Sequence, residues 1–131
     1  MFHAAKYYLA ALFLGASFHA AHGETDAETA NLCVDAAHVA SRETGVPVTV
    51  LLAISLTETG RSYSGAYRPW PWTVNMEGKG KWFDSREIAE AYVDENFIRG
   101  ARNFDVGCFQ INYRWHGTAF SSLNEMFEPV A

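Results

Sequence analysis

Apolar residues between Asn31 and Ala40 return every three or four positions, the period of a helix with one buried face. Thr25 and Glu28 stand at capping-box spacing ahead of them, and Gly45 supplies a stop. A second helix begins at Val46-Pro47, where proline's missing N–H costs nothing. It carries the nearly unbroken apolar run Val48–Leu56, then Glu58, and ends at Gly60. From Arg61 to Phe83 the pattern changes to aromatic residues interleaved with proline and glycine. Within it, Trp72–Asn75 and Lys81–Phe83 predict a short β-hairpin. Asp84-Ser85-Arg86-Glu87 reads as a helix start, with the helix running to about Arg99 before Gly100, and Ser121–Phe127 as a further short helix. The expected fold class is mostly α (α+β): helices with one small hairpin.

The segment before Thr25 changes the picture of where the protein works. Lys6, the apolar stretch from Tyr7 to Phe18 and the small residues of Ala21-His22-Gly23 have the order of a secretory signal peptide. Residues 1–23 are therefore expected to be removed, leaving one domain over 24–131. The apolar stretch is shorter than the roughly 20 residues a membrane span needs, so no stable membrane insertion is expected after cleavage. The whole chain has a formal net charge of −5 at pH 7, and losing Lys6 makes the remainder more acidic still. Such a surface gives no electrostatic drive toward nucleic acid or anionic lipid. The two cysteines, Cys33 and Cys108, are expected to form a disulfide in an exported chain. Neither has a second ligand at zinc-site spacing, and nothing in the sequence calls for a metal or an organic cofactor.

Two stretches could carry chemistry. Glu58 closes the apolar run, and a carboxyl group carried there by a largely buried helix would be desolvated, which favours the protonated form a general acid needs. The duller reading is a helix-terminal glutamate bonded to Arg61 or to backbone N–H groups. Gly107-Cys108-Phe109-Gln110-Ile111-Asn112 offers amide side chains, which both donate and accept, to a polar ligand, or else braces its own loop. Trp72 and Asn75 in the hairpin could present a ring and an amide to a sugar, whereas Trp82 and Phe83 are expected in the core. His38 reads as structural, and His116 has no assigned role.

Ala53-Ile54-Ser55-Leu56-Thr57-Glu58-Thr59-Gly60-Arg61, Pro71-Trp72-Thr73-Val74-Asn75 and Asp105-Val106-Gly107-Cys108-Phe109-Gln110-Ile111-Asn112 together resemble the bacterial lytic transglycosylases. Those enzymes share the soluble-lytic-transglycosylase domain of the lysozyme-like superfamily. The resemblance implies a lysozyme-like helical domain with its hairpin beside a substrate cleft. It implies cleavage of the MurNAc-β-1,4-GlcNAc bond of peptidoglycan with formation of 1,6-anhydro ends. Glu58 would be acid and then base, with no second catalytic carboxylate. Substrate contacts would come from Thr59, Trp72, Asn75, Phe109, Gln110 and Asn112. Thr59 replaces the family's usual serine and Phe109 its frequent methionine. The implied location is the periplasm, the implied partners are peptidoglycan glycan strands, and such enzymes also serve envelope-spanning secretion, conjugation or flagellar assemblies. Family domains continue into an alanine- and glycine-rich helix and a tyrosine motif, whereas this sequence stops at Phe127-Glu128-Pro129-Val130-Ala131, so either a truncated sequence or a protein shortened at its C-terminus is expected. Two alternatives stand beside this reading. One is a catalytically weak or inactive peptidoglycan-binding module. The other is a hydrolytic muramidase using Asp84, Glu77 or Asp105 to position water.

Overall fold

The computed structural model describes residues 25–131; the signal-peptide reading falls on residues outside them. Helix α1 spans Asp26–Thr44 and starts where the sequence predicts. The Thr25 hydroxyl accepts the Glu28 N–H at 3.3 Å, and the Glu28 carboxylate accepts the Thr25 N–H at 2.7 Å. At the other end Gly45 takes φ +77°, and its N–H donates to the Ser41 carbonyl, a left-handed cap that favours glycine. The buried side of α1 is Thr29, Ala30, Cys33, Ala36 and Ala37. Helix α2, Val48–Thr59, packs against α1, and Pro47 precedes its first turn.

Here the fold departs from expectation. An all-apolar helix is ordinarily enclosed, yet α2 fully buries only Ser55 and Thr59. Val50 is 46% exposed and Ile54 42%. With Ala53, Thr57 and Glu58 they form an open stripe at helical spacing. Among the described residues only one side of α2 has a helix packed against it, α1, so its apolar character says nothing about the other.

There is also more β-structure than a single hairpin. Strands β1 (Arg61–Tyr63) and β2 (Ala66–Arg68) form a two-stranded sheet. Strands β3 (Thr73–Met76), β4 (Lys79–Trp82), β5 (Phe104–Val106) and β6 (Ile111–Asn112) form an antiparallel sheet in the order β4-β3-β5-β6. Both tight hairpins turn on two residues of positive φ, Ser64-Gly65 and Glu77-Gly78, the geometry that matches strand twist. Helix α3 (Arg86–Ile98) is capped by Ser85, whose hydroxyl accepts the Ile88 N–H. A one-turn α4 (Tyr113–His116) follows β6, and the helix expected at Ser121–Phe127 is reduced to a single 3-10 turn, Glu125–Phe127. The architecture is mixed α+β.

The core gathers Trp70, Trp72, Val74, Val93, Phe104, Val106 and Phe127 between the larger sheet, α3 and the C-terminal turn. Cys33 and Cys108 are joined, tying α1 to the loop after β5 across a sequence separation of 75. Closing a loop of that length removes up to about 4.5 kcal/mol of unfolded-state entropy in the chain model. The disulfide fits an extracytoplasmic protein. Among the described residues no helix is long and apolar enough to cross a membrane.

Candidate active site

The last turn of α2 is held from inside. Thr59 is fully buried; its hydroxyl donates to the Ser55 carbonyl at 2.8 Å and accepts the Trp70 N–H at 3.0 Å. That anchor leaves the neighbouring Glu58 side chain in solvent. The enclosed setting inferred from the apolar run is therefore not the one the fold supplies. Nor does Arg61 neutralise Glu58. Its guanidinium lies 4.3 Å from the Trp70 ring centroid and 5.1 Å from that of Tyr63, and it pairs with Asp84 at 3.7 Å. Among the described residues Glu58 makes no ion pair.

Two aromatic rings converge on the residues just after Glu58. Trp82 donates its indole N–H to the Thr59 carbonyl at 2.9 Å. The Tyr67 ring lies against Gly60, where a Cβ would stand 2.5 Å from it and closer still to the Leu56 carbonyl, the backbone contact that disfavours any larger residue there. Alternation along β4 explains the direction of Trp82. Lys81 reaches toward α3, with its ammonium 4.5 Å from the Tyr92 ring centroid, so Gly80 and Trp82 take the opposite face.

The strand register extends that face. Asn75 lies opposite both Gly80 and Asp105, and Asp105 opposite Asn112. Directly paired residues share a face, so Gly80, Asn75, Asp105 and Asn112 form a row across all four strands, with Thr73 and Trp82 alongside. Asn112 donates from Nδ2 to Asp105 at 2.8 Å and to Asn103 at 3.1 Å. Among the described residues the buried amide oxygens of Asn75 and Asn112 have no partner, an uncommon cost for a small domain.

The positions singled out in the sequence thus divide. Asn75 and Asn112 fall on one face with Asp105, one of the three spare carboxylates, between them in the register. Thr59 is committed to the protein's interior and presents no hydroxyl to a ligand. Trp72 is 6% exposed within the core, while Trp82, expected in the core, is 46% exposed; the two tryptophans exchange environments. Gln110 takes φ +51°, and its Nε2 donates to the carbonyls of Thr73 (3.1 Å) and Gly107 (3.0 Å), so it braces its own loop. Phe109 lines a cavity of about 170 Å³ between α1 and the C-terminal turn, apart from the hollow bordered by Glu58. Of the unassigned carboxylates, Asp84 pairs with Arg61, and Glu77 sits at the tip of the β3–β4 hairpin.

Sequence reasoning missed Tyr67 and Trp82. The alternation in Lys79-Gly80-Lys81-Trp82 sets the tryptophan on the face opposite the lysines but does not say which face α3 covers. No protein-family model, curated protein or solved structure matches this chain.

Proposed function

We propose that this protein is a peptidoglycan lytic transglycosylase of lysozyme-like fold, exported to the periplasm, with Glu58 as its catalytic acid and base. The observation that carries the reading is the last turn of α2. There an exposed carboxylate with no ion pair among the described residues immediately precedes, in the chain, Thr59 and Gly60, against which the part-exposed Trp82 and Tyr67 rings are held.

In this mechanism protonated Glu58 gives its proton to the glycosidic oxygen as the C1–O4 bond breaks and oxocarbenium character develops at C1. The resulting carboxylate removes the proton from the C6 hydroxyl of the same muramoyl residue. O6 then closes on C1, leaving a 1,6-anhydro end and a free GlcNAc O4 hydroxyl. Glu58 finishes protonated, ready for the next cycle. The substrate supplies its own nucleophile, so one carboxyl group suffices.

Incubation of the protein with purified peptidoglycan, followed by mass spectrometry of the soluble products, tests this directly. Anhydro-muropeptides from the wild type and none from Glu58→Gln are the expected result. Reducing-end products instead would reassign the protein as a muramidase and direct attention to Asp105. No products from either protein would leave a glycan-binding role.

A further inference from the structure

We propose that Trp82 and Tyr67 form a stacking platform for a pyranose ring of an N-acetylated amino-sugar glycan. The inference rests on the glycan-cleaving reading of Glu58 and adds a binding subsite to it.

A small domain gains most from tryptophan by burying it, as Trp70 and Trp72 are buried. Trp82 is used differently. Its one polar atom is bonded to the Thr59 carbonyl, which fixes the indole, while nearly half of the residue stays in solvent. Tyr67 is 59% exposed and is held against Gly60. Both rings are thereby anchored to one dipeptide, Thr59-Gly60, immediately after Glu58. Rings oriented in advance and left open bind with little loss of side-chain entropy.

The chemistry around them selects the ligand. A pyranose presents C–H groups on its faces and hydroxyl or acetamido groups around its edge. Trp82 offers an apolar surface, and the polar residues Asn75 and Asp105 lie along the same sheet face. Single-stranded nucleic acid also stacks on aromatic platforms, but it needs a basic groove. Asp105 lies in the middle of this row, and the chain as a whole is acidic, which favours the neutral glycan.

The test uses the Glu58→Gln protein, so that ligand is not consumed, and measures chitotetraose binding by calorimetry. Adding Trp82→Ala is expected to weaken binding about tenfold, equivalent to roughly 1.4 kcal/mol. Trp82→Phe is expected to stay near the parent, and Trp115→Ala, an exposed tryptophan on α4, to be neutral. Circular dichroism and denaturation show whether each variant is folded; if Trp82→Ala is not, Tyr67→Ala carries the comparison. Undiminished binding by folded Trp82→Ala or Tyr67→Ala overturns the platform. So does Trp82-dependent binding of an oligothymidylate that is tighter than that of chitotetraose. Trp82-dependent glycan binding in a protein whose wild type releases no products would leave the platform standing and remove the catalytic reading. Turnover with unchanged KM in Trp82→Ala would do the reverse.

Discussion

Thr59 and Trp70 are joined through one hydroxyl, which accepts the Trp70 N–H at 3.0 Å while donating to the Ser55 carbonyl at 2.8 Å. The bond links the end of α2 to the segment entering the larger sheet. From there the connections continue: the Thr73 hydroxyl donates to the Trp70 carbonyl at 2.7 Å, and Gln110 donates to the Thr73 carbonyl. The two stretches that suggested an active site are therefore coupled through buried hydrogen bonds.

That coupling makes Thr59 a stability residue. Thr59→Val keeps the shape but leaves the Trp70 N–H unpaired in the interior, an expected loss of about 1–3 kcal/mol. Thr59→Ser retains the hydroxyl and should lose less than half as much. Urea denaturation of the two variants measures this. Equal losses would mean that the methyl removed in Thr59→Ser matters as much as the hydrogen bond removed in Thr59→Val, and that the hydroxyl is not the main anchor.

Gln110 should behave in the same way. Its amide nitrogen serves two carbonyls, Thr73 and Gly107, each of which also accepts a backbone N–H, from Gly107 and Gln110 respectively. Gln110→Leu thus leaves no carbonyl wholly unpaired, and about 1–2 kcal/mol of stability is the expected loss. Any fall in glycan affinity should follow the loss of folded protein. A Gln110→Leu variant of native stability with selectively weakened chitotetraose binding would return the side chain to the ligand.

How much of this was legible depended on whether the cause was local. The Thr25–Glu28 capping box, the Gly45 stop, the Ser85 cap and the β3–β4 hairpin all arise within a few residues, and each stands where the sequence predicts. The β1–β2 hairpin was also locally encoded, by Ser64-Gly65, but its strands are short and polar enough to lack an alternating apolar signal. The environment of α2 was not readable, because it depends on which elements pack against it. The same holds for Trp72 and Trp82. Either could be core by composition, and only the position of α3 over one face of the sheet decides. Gln110 illustrates a different limit, since an amide suited to a ligand is equally suited to a carbonyl of its own loop.

Acid should weaken the start of α1. The Thr25 backbone N–H and hydroxyl both donate to the Glu28 carboxylate, holding its carboxyl below the ordinary value of 4.5. A group whose pKa is lowered by folding contributes stability that is complete above the unfolded value and lost as pH falls through the folded one. The Tm difference between wild type and Glu28→Gln should therefore be present near neutrality and close as pH drops below 4.5. A gap unchanged from neutrality to acid would assign the effect to helix propensity instead.

Arg86 should govern how firmly the C-terminal turn is seated. Its guanidinium reaches Glu90 on α3 and Glu128 beyond the turn, each at 2.6 Å, and donates to the Asn124 carbonyl at 3.0 Å. These contacts bracket Met126 and Phe127, both buried in the core. Lysine carries the charge but not the planar fork needed to meet three acceptors at once. Because Glu128 is half exposed, the ion pairs themselves are worth only about 1 kcal/mol. The clearer expectation is therefore local. In both Arg86→Lys and Arg86→Met, amide hydrogen exchange at Met126, Phe127 and Glu128 should accelerate, while exchange in α1 stays unchanged. Wild-type protection at those three amides in Arg86→Met would mean that burial of Met126 and Phe127 is enough to hold the turn.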